Sequence, residues 1–346
     1  MVLAPHPDDE TLGAGIVLQQ ASAAGAAVRV VFATAGEANP WPQRWIERRW
    51  HLDASDRQRW GARRSDEARQ ALSQLGIDPA ATVFLGWPDG GIENLLIADG
   101  DQASARIAAQ IDAFRPTRIV LPCIRDRHPD HWALNLLTRA ALLGQAGCAP
   151  LLLEFLVHAG GAARAALEIG QAPPDVVQLT ATKLAALEAH QTQLRLNRGW
   201  LLRRARAPEA FALTTPASSE NANGLVRDSA IALSSSDPDR THLRLDANHP
   251  AARRSRLGLL LAGVSPGHVD LWRCAIARSR ANPDSAQITL TDCANGTLLG
   301  HADYRHEGTR ALLTLPHKLP GQLLYARFTR PRHWLQVVDR DSWVQL

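Results

Sequence analysis

At 346 residues the chain is longer than one hydrophobic core usually serves, so a large domain with a smaller companion is expected. With 45% apolar and 21% charged residues and no long biased tract, it reads as globular and not as disordered. The net charge of +4 is carried almost wholly by arginine, Lys183 and Lys318 being the only lysines, and no basic run lines up as a nucleic-acid stripe.

In chain order, β-type runs at Val2–Ala4, Val28–Thr34, Thr82–Gly86, Arg118–Pro122 and Leu151–Val157 alternate with helical patterns at Glu10–Ala24, Ala62–Leu75, Ala103–Phe114 and Ala133–Leu143. That alternation is how parallel strands joined by crossover helices write themselves, and it predicts an α/β fold with a Rossmann-like, doubly wound parallel sheet. A further helical stretch, Ala181–Leu196, follows, and the pattern fades near Phe211–Pro216. Ala217–Asp239 is rich in Ser, Asn and Asp and reads as loop or linker. The expected division is therefore a catalytic domain at 1–215, a linker at 216–239 and a smaller β-rich accessory domain at 240–346. The accessory domain rests on short alternating runs, "THLRLD", "AQITLTD", "ALLTLP", "LLYARFT" and "HWLQVVD", whose topology is not legible.

The most apolar run, Leu257–Val264, is far shorter than the ~20 residues of a membrane helix, so no transmembrane segment is expected. Cys123, Cys148, Cys274 and Cys293 form no CxxC pair and follow no secretory leader, which points to reduced thiols in a cytoplasm. Trp41, Trp45, Trp50 and Trp60 crowd the connection 38–60. The simpler reading puts Trp45 and its neighbours over the core on one side of a short helix. The sharper one makes Trp41 and Trp45 substrate contacts, flat rings on a loop above the site. Trp272, Trp334 and Trp343 pose the same choice for the C-terminal domain, with scaffold as the simpler reading and carbohydrate contact or a substrate lid as the sharper.

Two segments carry chemistry. "APHPDDETLG" (Ala4–Gly13) sets a histidine and two aspartates directly after a β run and at the mouth of a helix, where open α/β sheets bind ligands. His6 and Asp9 can take one cation from a single turn, imidazole with carboxylate suiting zinc or another divalent first-row metal. Asp8, between them, would be free to take a proton from water activated by the ion. "RDRHPDHW" (Arg125–Trp132) follows another strand and supplies two imidazoles with a carboxylate between them, enough for a metal ligand, an acid and a residue orienting the acid. For any one of these residues alone, a surface loop or helix cap is the simpler account.

"PHPDDE" with the later "HPDH" resembles the LmbE/PIG-L family of metal-dependent N-deacetylases, which includes deacetylases of N-acetylglucosaminyl-phosphatidylinositol and of mycothiol and bacillithiol synthesis. "RRSDEARQALSQLG", "LGWPDG" and "KLAALEAHQTQ" extend the resemblance over roughly residues 1–215, although the family's first strand is usually preceded by a few more residues than stand before His6. The resemblance implies His6, Asp9 and His131 as ligands of Zn2+, with another divalent metal such as Fe2+ an alternative. It implies Asp8 as the general base, His128 as the residue that stabilises the oxyanion and protonates the leaving amine, and Asp130 as its orienting partner. Arg64 and Asp89 match positions that line the sugar pocket, against a simple turn-forming role for Asp89. The implied reaction is hydrolysis of an N-acyl, above all N-acetyl, group on an amino sugar or sugar conjugate, a small molecule and not nucleic acid, by a chain for which homo-oligomers remain open. An amidase acting on another small N-acyl or thiol conjugate, and an inactive sugar-binding protein, are the competing readings. A nucleotide-binding oxidoreductase is weaker, because no G-x-G-x-x-G follows the first strand.

Overall fold

All three side chains of the first strand, β1 (Val2–Ala4), are buried, as a central strand covered on both faces requires. In the computed structural model it pairs in parallel with β2 (Val30–Thr34) on one side and β4 (Arg118–Pro122) on the other. β3 (Thr82–Trp87) and β5 (Leu151–Phe155) extend the sheet in parallel, and β6 (Ala212–Thr214) adds an antiparallel edge. The resulting order, β3-β2-β1-β4-β5-β6, is Rossmann-like, and it reverses between β1 and β4. The structure describes residues 1–145, 147, 149–158, 167, 173–217, 230–237, 239–246, 249, 256–278, 286–329, 338–339 and 341–346.

The helices are α1 (Asp9–Ala23), α2 (Pro40–Glu47), α3 (Ala54–Gln74), α4 (Ile92–Phe114), α5 (Pro129–Leu143), α6 (Val176–Glu188) and α7 (Gln191–Arg206). α3 begins well before the expected Ala62 because Asp53 and Asp56 form a reciprocal capping box that nucleates its first turn. α4 likewise starts before Ala103 and runs through a kink at Asp99. The single helix expected over Ala181–Leu196 is two, parted at Ala189–His190, and the parting brings His190 into the interior. The expectation that Trp45 and its neighbours cover the core is corrected. α2 turns Pro42 and Gln43 inward and leaves Trp41 and Trp45 43% and 60% exposed, while Trp60 on α3 is the buried ring.

The chain divides into two compact units that do not follow chain order. One comprises Met1–Glu93, Ile111–Cys123 and Pro150–Thr214, and holds the parallel sheet with a core of Leu12, Leu18, Phe32, Leu72, Phe155 and Leu187 among others. The other comprises Asn94–Gln110, Ile124–Ala149 and Thr215–Leu346, so α5 belongs with the C-terminal strands. Those strands are β7 (Ile231–Ser236), β8 (Thr241–Asp246), β9 (Arg256–Ser265), β10 (His268–Arg278), β11 (Ala286–Asp292), β12 (Leu298–His301), β13 (Asp303–Glu307), β14 (Arg310–Thr314), β15 (Leu323–Thr329) and β16 (Val344–Gln345). They form two antiparallel sheets, β12-β11-β10-β9-β15-β16 and β13-β14-β8-β7, whose apolar faces share one core. β7 lies inside the segment expected to be linker, where Ile231 and Leu233 alternate with smaller residues and pair with β8. Trp272 and Trp343 are buried, as the scaffold reading expects, whereas Trp334 and most of "HWLQVVD" lie outside the described residues. Among the described residues, no helix is long and apolar enough to cross a membrane.

Candidate metal centre

Beyond β1, the Pro5 carbonyl accepts hydrogen bonds from the Thr34 N–H (3.1 Å) and hydroxyl (2.9 Å), fastening the chain to β2 as it turns. The turn passes through His6, Pro7 and Asp8 and enters α1 at Asp9. Asp8 stands at the N-cap with φ 131° and ψ −26°, a conformation in which a side-chain-bearing residue costs about 1–3 kcal/mol. Its neighbours over-determine it. Its N–H donates to Glu10 Oε2 at 2.8 Å and its carbonyl accepts from Leu12 N–H at 2.9 Å. Buried Arg64, reaching from α3, donates to the Pro7 carbonyl at 2.6 Å and to the Gly36 carbonyl at 2.8 Å, with its guanidinium 3.6 Å from Asp8 Oδ2. Only glycine suits position 36, where φ is +70° and a Cβ would overlap that guanidinium.

Within this frame His6 lies between two carboxylates. Its Nδ1 is 3.1 Å from Asp9 Oδ2 and its Nε2 is 3.2 Å from Asp89 Oδ1. The His6 N–H also donates to Asp9 Oδ2 at 3.1 Å, which locks the His-x-x-Asp spacing. Asp89 arrives from the turn after β3 and accepts the Ala38 N–H at 2.7 Å. Burial alone would push Asp89 up, but the hydrogen bond and charge of His6, with Arg64 and the Ala38 N–H, outweigh it and hold the carboxyl at about 2. Asp8 goes the other way. Burial, with Asp9 adding repulsion, outweighs the pull of Arg64 and raises its carboxyl to about 7.

Behind the loop sits a second layer of buried polar groups. Glu10 Oε1 accepts the Thr11 hydroxyl at 2.6 Å and meets His190 Nε2 at 3.0 Å. Glu67, the partner of Arg64 in the Arg-x-x-Glu spacing, accepts the Thr192 hydroxyl at 2.6 Å and its N–H at 3.2 Å, anchoring the first turn of α7 beside His190. Lys183 is wholly buried and donates to the Leu12 carbonyl at 3.0 Å and to Glu209 at 2.6 Å. Glu209 in turn accepts the N–H groups of Ile16 and Val17. The motifs "RRSDE" and "KLAALEAHQTQ" thus hold α1 and the loop at its head.

The second motif begins where the chain leaves β4, the strand beside β1. Asp126, wholly buried, accepts the His128 N–H at 2.9 Å and places Oδ2 3.3 Å from His131 Nδ1. A carboxylate at Nδ1 keeps the proton there and makes Nε2 the basic nitrogen, which is how a metal-ligating imidazole is usually prepared. His128 is the N-cap of α5, and its Nδ1 accepts the Asp130 N–H at 3.2 Å. That contact requires a lone pair on Nδ1 and so places the proton of the neutral ring on Nε2, as a donor. The Asp130 backbone is thus one of the groups that orient His128. The two imidazoles lie 5.0 Å apart, centre to centre.

His6, Asp8, Asp9 and Asp89 are brought together in one unit, and His128, Asp130 and His131 in the other. Arg64 is turned onto backbone carbonyls, and Trp41 and Trp45 stand in the open on α2. Sequence reasoning gave no role to Glu10, His190 or Asp126. All three lay inside quoted motifs, and the usable signal was an acidic or imidazole side chain within five positions of a named ligand or inside an otherwise apolar helical text.

A profile of the PIG-L family, described as GlcNAc-PI de-N-acetylase, matches residues 1–142. An enzyme of Mycolicibacterium vanbaalenii named 1D-myo-inositol 2-acetamido-2-deoxy-alpha-D-glucopyranoside deacetylase is 29% identical over 232 residues, covering 55% of this chain and 78% of that one. Its namesake in Mycolicibacterium gilvum is 32% identical over the same span of 232 residues, again 55% and 78% of the two chains. Among solved structures, the conserved protein TT1542 of Thermus thermophilus matches with a TM-score of 0.43 and 27% identity, over 59% of this chain and 83% of that one. The chain belongs to the PIG-L family, described as GlcNAc-PI de-N-acetylases.

Proposed function

We propose that the chain is a metal-dependent deacetylase that hydrolyses the N-acetyl group of an amino sugar, releasing acetate and the free amine. The observation that carries this reading is the loop after β1, where His6 lies between the Asp9 and Asp89 carboxylates beside a strained Asp8. Two relatives named as deacetylases of an acetamido sugar support the substrate class.

We assign His6, Asp9 and His131 as ligands of one divalent ion, Zn2+ or Fe2+. Imidazole and carboxylate donors suit either ion, and the Asp126 carboxylate at His131 Nδ1 fits a ligand role. When bound, the ion supplies Lewis-acid chemistry to the acyl carbonyl and to the attacking water. Asp8 takes the proton of that water on its carboxylate, and a carboxyl poised near neutrality also gives it up again to the leaving nitrogen. His128 offers Nε2–H to the oxygen on which charge develops, a donor commonly worth about 3 kcal/mol of barrier. Protonation of the amine by His128, as the family resemblance implies, is the alternative route. Arg64 and Asp89 act on the loop itself, while the open rings of Trp41 and Trp45 are the candidates for contact with the sugar or acyl face.

The test is acetate release from a panel of N-acetylated amino sugars by the purified chain, by the chelated chain, and after zinc is returned. Release that is lost on chelation and restored by zinc is expected. Activity indifferent to the chelator would remove the metal from the account, and turnover confined to non-sugar N-acyl or thiol conjugates would replace the substrate class.

A further inference from the structure

We propose that Asp339, far beyond the residues matched by the family profile, is a positioning residue for the metal-binding segment His128–His131. The inference rests on the metal reading above. Asp339 holds that segment from both ends. Its backbone N–H donates to the carbonyl of Arg127, the residue before His128, at 2.6 Å, and its carboxylate accepts the indole N–H of Trp132, the residue after His131, at 3.2 Å.

Each contact has a physical reason to persist. Trp132 is wholly buried, and a buried indole N–H is costly without an acceptor. The Asp339 carboxylate is itself buried and is paired with the Arg327 guanidinium. Arg327 lies over the ring of Trp132 at 4.8 Å and over that of Trp343 at 5.2 Å, so its charge is met by a carboxylate and two aromatic faces. Those two rings meet edge to face at 5.2 Å, closing the cluster.

The far end of α5 is fastened by the same stretch of chain. Gly267, in the turn between β9 and β10, donates to the Ala140 carbonyl at 2.8 Å, and Arg139 donates to the carbonyls of Thr215 (2.9 Å) and Pro216 (3.2 Å). Every residue from Pro129 to Leu142 is buried. Residues 215–346 therefore set where α5 sits along its own axis, and with it where His128 and His131 sit. Partners behind a metal ligand commonly govern metal affinity by 10–100-fold. In this chain that support comes from a β domain outside the family core, which gives the domain a part in the chemistry as well as a scaffold role.

The experiment uses the full chain and measures zinc affinity by competition with a chromophoric chelator, the visible spectrum of the cobalt-loaded protein, and the melting temperature. Asp339→Ala is expected to weaken zinc binding about 10-fold or more and to change the cobalt spectrum. Asp339→Asn, which keeps an acceptor for Trp132, is expected to recover most of the loss. Trp132→Phe, which keeps a ring against Arg327 and removes the N–H, is expected to weaken zinc in the same direction. Leu313→Ala, in the β-domain core, should lower the melting temperature and leave affinity and spectrum alone. Wild-type affinity and spectrum in both Asp339→Ala and Trp132→Phe would overturn the inference, and Trp132→Phe decides alone if Asp339→Ala does not fold. Equal loss of affinity in Leu313→Ala would also overturn it, reducing the effect to stability. A wild-type chain that binds no zinc would overturn the metal reading and this inference with it, an outcome distinct from zinc bound equally by all variants.

Discussion

Glu10 touches no expected ligand site directly, yet its removal should cost both stability and turnover. Its carboxylate is wholly buried and collects the Asp8 N–H (2.8 Å), the Thr11 hydroxyl (2.6 Å) and His190 Nε2 (3.0 Å). Glu10→Ala leaves a buried histidine without its counter-charge, and breaking a buried pair from one side costs about 3–5 kcal/mol. It also strips the acceptor that holds Asp8 at positive φ, and a displacement on the order of 1 Å at a reacting group is enough for a rate loss of about 10²-fold. Glu10→Gln keeps an acceptor for Asp8 and should lose about 1–3 kcal/mol. The pH dependence has a definite sign. Burial lowers the His190 imidazole, but the charge and hydrogen bond of Glu10 outweigh it and raise the ring above its usual 6.5. A histidine raised on folding contributes its full stabilisation below the unfolded value and loses it as pH rises through the folded one. The stability gap between wild type and Glu10→Gln should therefore be widest near pH 6 and close towards alkaline pH. Urea unfolding across that range, with kcat and KM from acetate release, reads both effects. A gap that widens with pH, or Glu10→Ala at wild-type kcat, would refute the reasoning.

Two further outcomes follow from the same geometry. Gly13→Ala would set a Cβ 2.5–2.8 Å from the ring of Phe155, which is itself buried and cannot withdraw. Overpacking of that kind costs about 1–3 kcal/mol; thermal melting should show it, and Phe155→Leu should restore part of it. Asp8→Asn should retain zinc and lose most turnover, whereas His131→Ala should lose zinc, the two being separated by metal analysis of the purified variants. Undiminished turnover in Asp8→Asn would remove the base assignment.

The parallel strands were legible because each is a short apolar run next to helical text, so Val2–Ala4 and Arg118–Pro122 stand where their sequence puts them. The placement of His6, Asp8 and Asp9 after β1, and of His128 and His131 after β4, was legible because local spacing and a strand end are one-dimensional properties. Helix starts were less so: the onset of α3 depends on a capping box between Asp53 and Asp56, and the break at His190 on a buried contact with a glutamate 180 positions away. The chain text also left the environment of each group open. Asp8 and Asp89 are the same residue type, yet one carboxyl is raised to about 7 and the other held at about 2, because burial prevails at the first and is outweighed at the second by His6 together with Arg64 and the Ala38 N–H. Which residues stand behind α5 was decided only by folding. Asp339 and Trp132 are 207 positions apart, and no local pattern records a hydrogen bond that exists because a β domain packs against the helix bearing His131.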